Sequence, residues 1–159
     1  MLKELLSNRK STIVNNWVQL IVETYPPETS KFLRLQKDRF SNPVGFTISD
    51  NAEKLFNEII NDYDIEIIKT SLNEIIKIRA VQDFTPSQAV GFISLLKEVI
   101  NAELHQELID KKFFDQFNLI ESRIDKLTLL AFDLYMEARE KIFRIRVNEI
   151  KSKTLRTTD

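Results

Sequence analysis

The run RAVQDFTPSQ, residues 79–88, brings Arg79, Gln82, Asp83, Thr85, Ser87 and Gln88 close together. Such a mixture could form an active site or a turn between two helices. A hydroxyl nucleophile at Thr85 or Ser87 would need a base beside it. The single histidine, His105, is remote in sequence, and cysteine is absent. Each residue has a structural role instead. Thr85 is placed to cap a helix, Pro86 to occupy its first position, and Gln88 to close a capping box three residues after the cap. Phe84 takes the staple position facing Ala89. Arg79 can reach Asp83 one turn on, an exposed pair worth ~0.3 kcal/mol. The run therefore reads as a helix start, and no residue is assigned a catalytic role.

Other constellations fare similarly. A haem would need His105 as its axial ligand. His105 lines up with Asn101, Glu98 and Ser94, on the polar side of a stripe formed by Ile93, Leu96, Ile100 and Leu104. A di-iron carboxylate bundle needs two Glu-x-x-His motifs, and the residue three before His105 is Ala102. From Asp50 to Glu66 six acidic residues face one basic residue. This reads as a solvated acidic face, since the spacing lacks the glycine and alternating oxygens of an EF-hand loop. No metal or cofactor is expected. Trp17, Phe46, Phe92 and Phe132 read as core aromatics at helical spacing. Gly91, inside an expected helix, costs about 1 kcal/mol relative to Ala and implies a closely approaching neighbour.

These side chains must be carried on helices. Ile13, Val14, Trp17, Leu20, Ile21 and Tyr25 recur at steps of three and four until Pro26 and Pro27 stop the pattern. A short helix fits within residues 28–40, ended by the turn signal NPVG. Ser49 or Asp50 would cap the next helix, through Ala52, Leu55, Phe56 and Ile59. The spacing then predicts a helix over 64–81 and another from Pro86 to about Ile109. From Leu119 onward the apolar row Leu127, Ala131, Leu134, Ala138, Ile142 and Ile145 keeps a near-heptad spacing without Gly or Pro. This predicts about thirty helical residues, roughly 50 Å long. A helix of that length outruns a small domain, and its stripe, directly or by positioning it, is the expected subunit contact of a homodimer.

Composition sets the class. With 159 residues, Gly only twice, Pro four times and 43% hydrophobic content, an all-α domain is favoured over a sandwich or barrel. The 23 basic and 24 acidic residues nearly cancel, which argues against a general nucleic-acid binder. No run approaches the roughly 18 apolar residues of a membrane span, and the start lacks a signal-peptide core, so a cytoplasmic location is expected. The charge is nevertheless uneven. From Arg139 to Arg156 seven basic residues face two acidic ones. The helix end could be simply solvated, or could dock on an acidic partner surface or the headgroups of a membrane complex, with Phe143 and Ile145 adding apolar contact.

Four patches carry a resemblance: TYP at 24–26, RFSNPVG at 39–45, RAVQDFTPSQAVG at 79–91 and AFDLYMEAREKIFRIRVNE at 131–149. Together they resemble the RsbRD N-terminal domain family. The resemblance implies a globin-like helical sensor that binds no haem, dimerises, acts in signal transduction and stress response, and signals through a helix to a following STAS domain. No STAS domain follows in this sequence, so its phosphorylated threonines and kinase contacts have no counterpart here. The expectation is a single helical domain over 1–150 with a basic, flexible tail over 151–159. Its function is a non-enzymatic regulatory module that presents its C-terminal helix to a protein partner. The alternatives are a small-ligand-binding bundle or a structural accessory subunit; inward-pointing Gln82 or Asp133 would favour a site inside the bundle.

Overall fold

The computed structural model describes residues 1–35 and 38–158. Among these the fold is all-α: α1 (Leu2–Asn8), α2 (Lys10–Glu23), α3 (Pro27–Leu35), α4 (Pro43–Ile60), α5 (Ile65–Val81), α6 (Pro86–Val90), α7 (Leu95–Glu103), α8 (His105–Leu108) and α9 (Phe114–Thr158), with short 3-10 turns before α7 and α9. The core is continuous from α1 to α9. Trp17, Phe56 and Phe92 fill its centre, and Leu127 and Ala131 of α9 close it. Part of the short helix expected within 28–40 is α3; Gln36 and Lys37 lie outside the described residues.

The element starts follow local chemistry. Asp64 caps α5, its carboxylate accepting from the Glu66 and Ile67 backbone N–H groups. The α4 start departs from expectation. Asn42, not Ser49 or Asp50, is the cap, with Pro43 at the first helical position. Its Oδ1 accepts from Gly45 N at 2.9 Å while its Nδ2 donates to the Leu33 carbonyl at 3.0 Å, tying α3 to α4. What reads as a turn is thus a helix start. A Cβ on Gly45 would lie 2.2 Å from Asn42 Nδ2, so glycine is what lets the cap close.

Helix ends show a different device. Gly is scarce, and neither glycine has positive φ, so the usual left-handed glycine stop is missing. Arginines from elsewhere in the chain donate to the last carbonyls instead. Arg9 reaches Glu103 O of α7, Arg123 reaches Ile59 O and Asn61 O at the end of α4, Arg139 reaches Ala80 O of α5, and Arg79 reaches Gln88 O and Ala89 O of α6. A cation at a helix C-terminus satisfies orphan acceptors and complements the macrodipole.

The same chemistry breaks the helix expected over 86–109. The Phe92 carbonyl is taken by Trp17 Nε1 at 2.8 Å, and the Gly91 carbonyl by Ser94 Oγ at 2.8 Å. Carbonyls claimed by side chains favour a break, so the run divides into α6, a 3-10 turn, α7 and α8. Gly91 sits at that break, and nothing lies within 4 Å of a Cβ placed on it, so the expected close neighbour is not there.

Candidate functional site

The final helix begins earlier and ends later than its apolar pattern implies. At 45 residues, α9 is about 67 Å long. Residues 151–158, expected as a tail, continue it. Ile142 is the last of its residues packed against the core. Beyond it, residues 143–158 extend for roughly 24 Å, and Phe143, Ile145, Ile150 and Leu155 are all exposed.

The helix has two apolar faces. One holds Ile120, Ile124, Leu127 and Ala131, all buried in the chain's own core, followed by the half-buried Leu134, Ala138 and Ile142. The second holds Leu129, Phe132, Met136, Phe143, Val147 and Ile150 within an arc of about 60°, on nearly the opposite side at roughly 150°. Leu129 is 70% exposed and Phe143 67%. Their 3, 4 and 7 spacing is a heptad row, as in paired helices.

These faces redistribute the residues expected at an interface. Leu127 and Ala131 have no exposed surface and belong to the core. Leu134, Ala138, Ile142 and Ile145 line a groove of about 490 Å³ with Asn73, Lys77 and Val81 of α5. Arg139 anchors the upper end of this region by donating to Ala80 O at 2.8 Å. The heptad row on the other face was missed by the sequence reading. Its signal is present in the sequence, since Leu129, Phe132, Met136 and Phe143 stand at heptad positions, with Arg139 and Glu140 at the one gap in the row. Phe132, expected in the core, is 45% exposed, as is Phe46 at 39%; Trp17 and Phe92 are core residues as expected.

The RAVQDFTPSQ run contains the predicted helix start and one surprise. Thr85 Oγ1 accepts from Gln88 N at 3.3 Å, and Gln88 Oε1 accepts from Thr85 N at 2.9 Å, forming a full capping box with Pro86 inside it. Arg79, however, does not form an exposed pair with Asp83. It is wholly buried. Its Nε donates to Ala89 O at 2.8 Å, one terminal nitrogen to Gln88 O at 2.8 Å, and the other to Thr24 Oγ1 at 3.2 Å. The rings of Phe84, Phe92 and Tyr25 surround the guanidinium at 4.3, 5.2 and 5.5 Å. Burial lowers its pKa from the ordinary arginine value, opposed by Tyr25. Arginine keeps its charge at neutral pH even so. The carbonyl dipoles and ring faces stand where a carboxylate would be expected.

A second arginine site joins α4 to α9. Tyr63, in the left-handed region at φ 55°, donates to the Arg123 carbonyl at 3.2 Å, and the Arg123 guanidinium lies over its ring. Burial raises the Tyr63 pKa, with Arg123 opposing it.

Chemistry of other kinds has no assembled site among the described residues. His105 is exposed. No three His, Cys, Asp or Glu side chains are placed to hold a metal. Asp133 is exposed; Gln82 Oε1 is buried without a hydrogen-bond partner. Among the described residues no helix is long and apolar enough to cross a membrane.

Thr24, Tyr25, Arg79, Phe84, Gln88 and Ala89 come from two patches far apart in sequence and meet at one buried guanidinium. A family model described as the RsbT co-antagonist protein rsbRD N-terminal domain matches residues 11–150. The chain belongs to that family. As an RsbRD N-terminal domain it falls among modules of broadly sensory or regulatory kind. It is similar to an uncharacterized protein of Archaeoglobus fulgidus, 23% identical over 146 residues that cover 88% of this chain and 83% of the relative. No solved structure matches the chain. The matched RsbRD region takes in the Arg79 junction and α9 up to Ile150, so both features belong to the domain.

Proposed function

We propose that this chain is a non-enzymatic sensory or regulatory module that pairs with a second copy along α9 and presents the basic end of that helix to an acidic protein partner. The observation that carries this reading is the pair of opposite apolar faces on α9, of which the chain's own core covers one. A row of large apolar side chains at heptad spacing on a helix longer than its domain needs a partner surface. The same row on a second copy is complementary to it by symmetry. Beyond Ile142 five basic residues, Arg144, Arg146, Lys151, Lys153 and Arg156, would face outward from such a pair and suit a carboxylate-rich surface. Changes in core packing would reach this helix through Arg123 and Arg139, which tie α9 to the ends of α4 and α5.

Light scattering across a dilution series tests the pairing. The wild-type chain is expected to be dimeric at micromolar concentration. Phe132→Glu with Phe143→Glu should yield a monomer with unchanged helix content. A wild-type monomer at tens of micromolar, or a dimer indifferent to both charges, would overturn the assignment.

A further inference from the structure

A second cleft, between α4 and α5, has a different chemistry from the groove on α9. It measures about 610 Å³ and has no α9 residue in its lining. Thr47, Asn51 and Ser71 give it polar ground, Phe40 and Phe46 supply aromatic surface, and Arg39, Asp50, Lys54 and Glu74 bring charges of both signs. Elsewhere these two helices meet through apolar residues such as Ala52, Leu55, Leu72 and Ile75.

The polar residues call for an explanation. Asn51 and Ser71 are 7% and 3% exposed, and the polar surface they keep opens on the cleft rather than being sealed in the core. Asn51 Nδ2 donates once, to Thr47 O at 2.8 Å. Its Oδ1, its second amide hydrogen and the Ser71 hydroxyl have no partner among the described residues. Both residues line the cleft, so their free groups are available to whatever enters it.

The remaining groups define the visitor. A carboxamide with one free N–H and one free oxygen matches an edge carrying an adjacent donor and acceptor, the pairing asparagine makes with adenine. Phe40 is 91% exposed and the Arg39 guanidinium lies over Phe46 at 5.1 Å, surfaces on which flat heterocycles stack. Charge sets a limit: Lys54 is paired with Asp50 at 2.9 Å and the four charges cancel, so no excess cation awaits a phosphate.

We propose that this cleft binds a small, flat, uncharged heterocycle of the nucleobase or nucleoside class, read along its edge by Asn51 and Ser71 and covered on its face by Phe40 and Phe46. The proposal goes beyond the regulatory reading and does not depend on dimer formation.

Saturation-transfer NMR and calorimetry on the full chain, with adenosine, guanosine, cytidine, uridine and nicotinamide as probes and AMP as the charge control, test it. At least one neutral probe is expected to saturate at or below millimolar concentration, with AMP no tighter than adenosine. Ser71→Ala and Asn51→Leu should each weaken that probe about tenfold, the worth of one or two hydrogen bonds. Ser71→Ala gives up no hydrogen bond within the chain and should melt at the wild-type temperature, so it carries the test if Asn51→Leu, which loses its bond to the Thr47 carbonyl, is destabilised. Failure of every neutral probe to saturate, binding untouched in the folded variants, or AMP binding more tightly than adenosine would overturn the proposal, whatever the oligomeric state.

Discussion

Around Arg79 a charge is buried and its surroundings answer it, whereas along the outer face of α9 apolar side chains are exposed and nothing among the described residues covers them. The first region answers its guanidinium within one chain: three of its nitrogens have acceptors, and three rings stand close by. The second leaves its apolar surface to water. The contrast separates what holds the fold from what is left for a partner. Substitutions at the junction should act on stability, and substitutions on the outer face on association.

The largest expected effect is at the junction. Arg79→Met would leave the buried Ala89 O and the part-buried Gln88 O and Thr24 Oγ1 without their donor, at a cost of about 2–4 kcal/mol. Chemical denaturation should show this, with Arg79→Lys only partly restoring stability because the planar fork is lost. A variant as stable as wild type would break the contrast at its stable end.

On α9 the expected change is in association. Phe132→Glu with Phe143→Glu should disrupt the dimer while monomer stability stays within about 0.5 kcal/mol, as for exposed sites. Ile142→Glu with Ile145→Glu changes the groove side and should affect pairing less. The reverse order, read by light scattering, would move the seam to the α5 groove.

Smaller effects sharpen the reading of the helix starts and breaks. Thr85→Ala should lower stability by about 1 kcal/mol, the usual worth of an N-cap, and leave dimerisation unchanged. Loss of association at wild-type stability would show that the capping box has a role beyond folding. Gly91→Ala meets no neighbour and keeps an ordinary helical φ, so a gain of ~0.5 kcal/mol is expected in thermal melts. A loss would reveal a close approach at the break.

Much of the fold was legible because helix periodicity and caps are local. Thr85, Pro86 and Gln88 act within four residues, and Asp64 caps α5 by reaching residues two and three positions ahead. The α4 start was harder. Asn42 and Pro43 form a turn and a cap with the same letters, and Asn42's second bond goes to Leu33 in another helix. The break after α6 was illegible for a similar reason, since the donor that takes Phe92 O is Trp17, 75 positions away.

The sequence by itself determined the all-α class, the capping box, the long final helix and its family, because these depend on composition, on contacts a few residues apart or on short contiguous patches. Tertiary structure decided the rest. It buried Arg79 by bringing Thr24, 55 positions away, to its side chain, where neighbouring sequence offered Asp83. It also chose between the two apolar rows of α9. Both have helical spacing, and periodicity shows only that a face is apolar; which row enters the core depends on where α4, α5 and α6 pack around it.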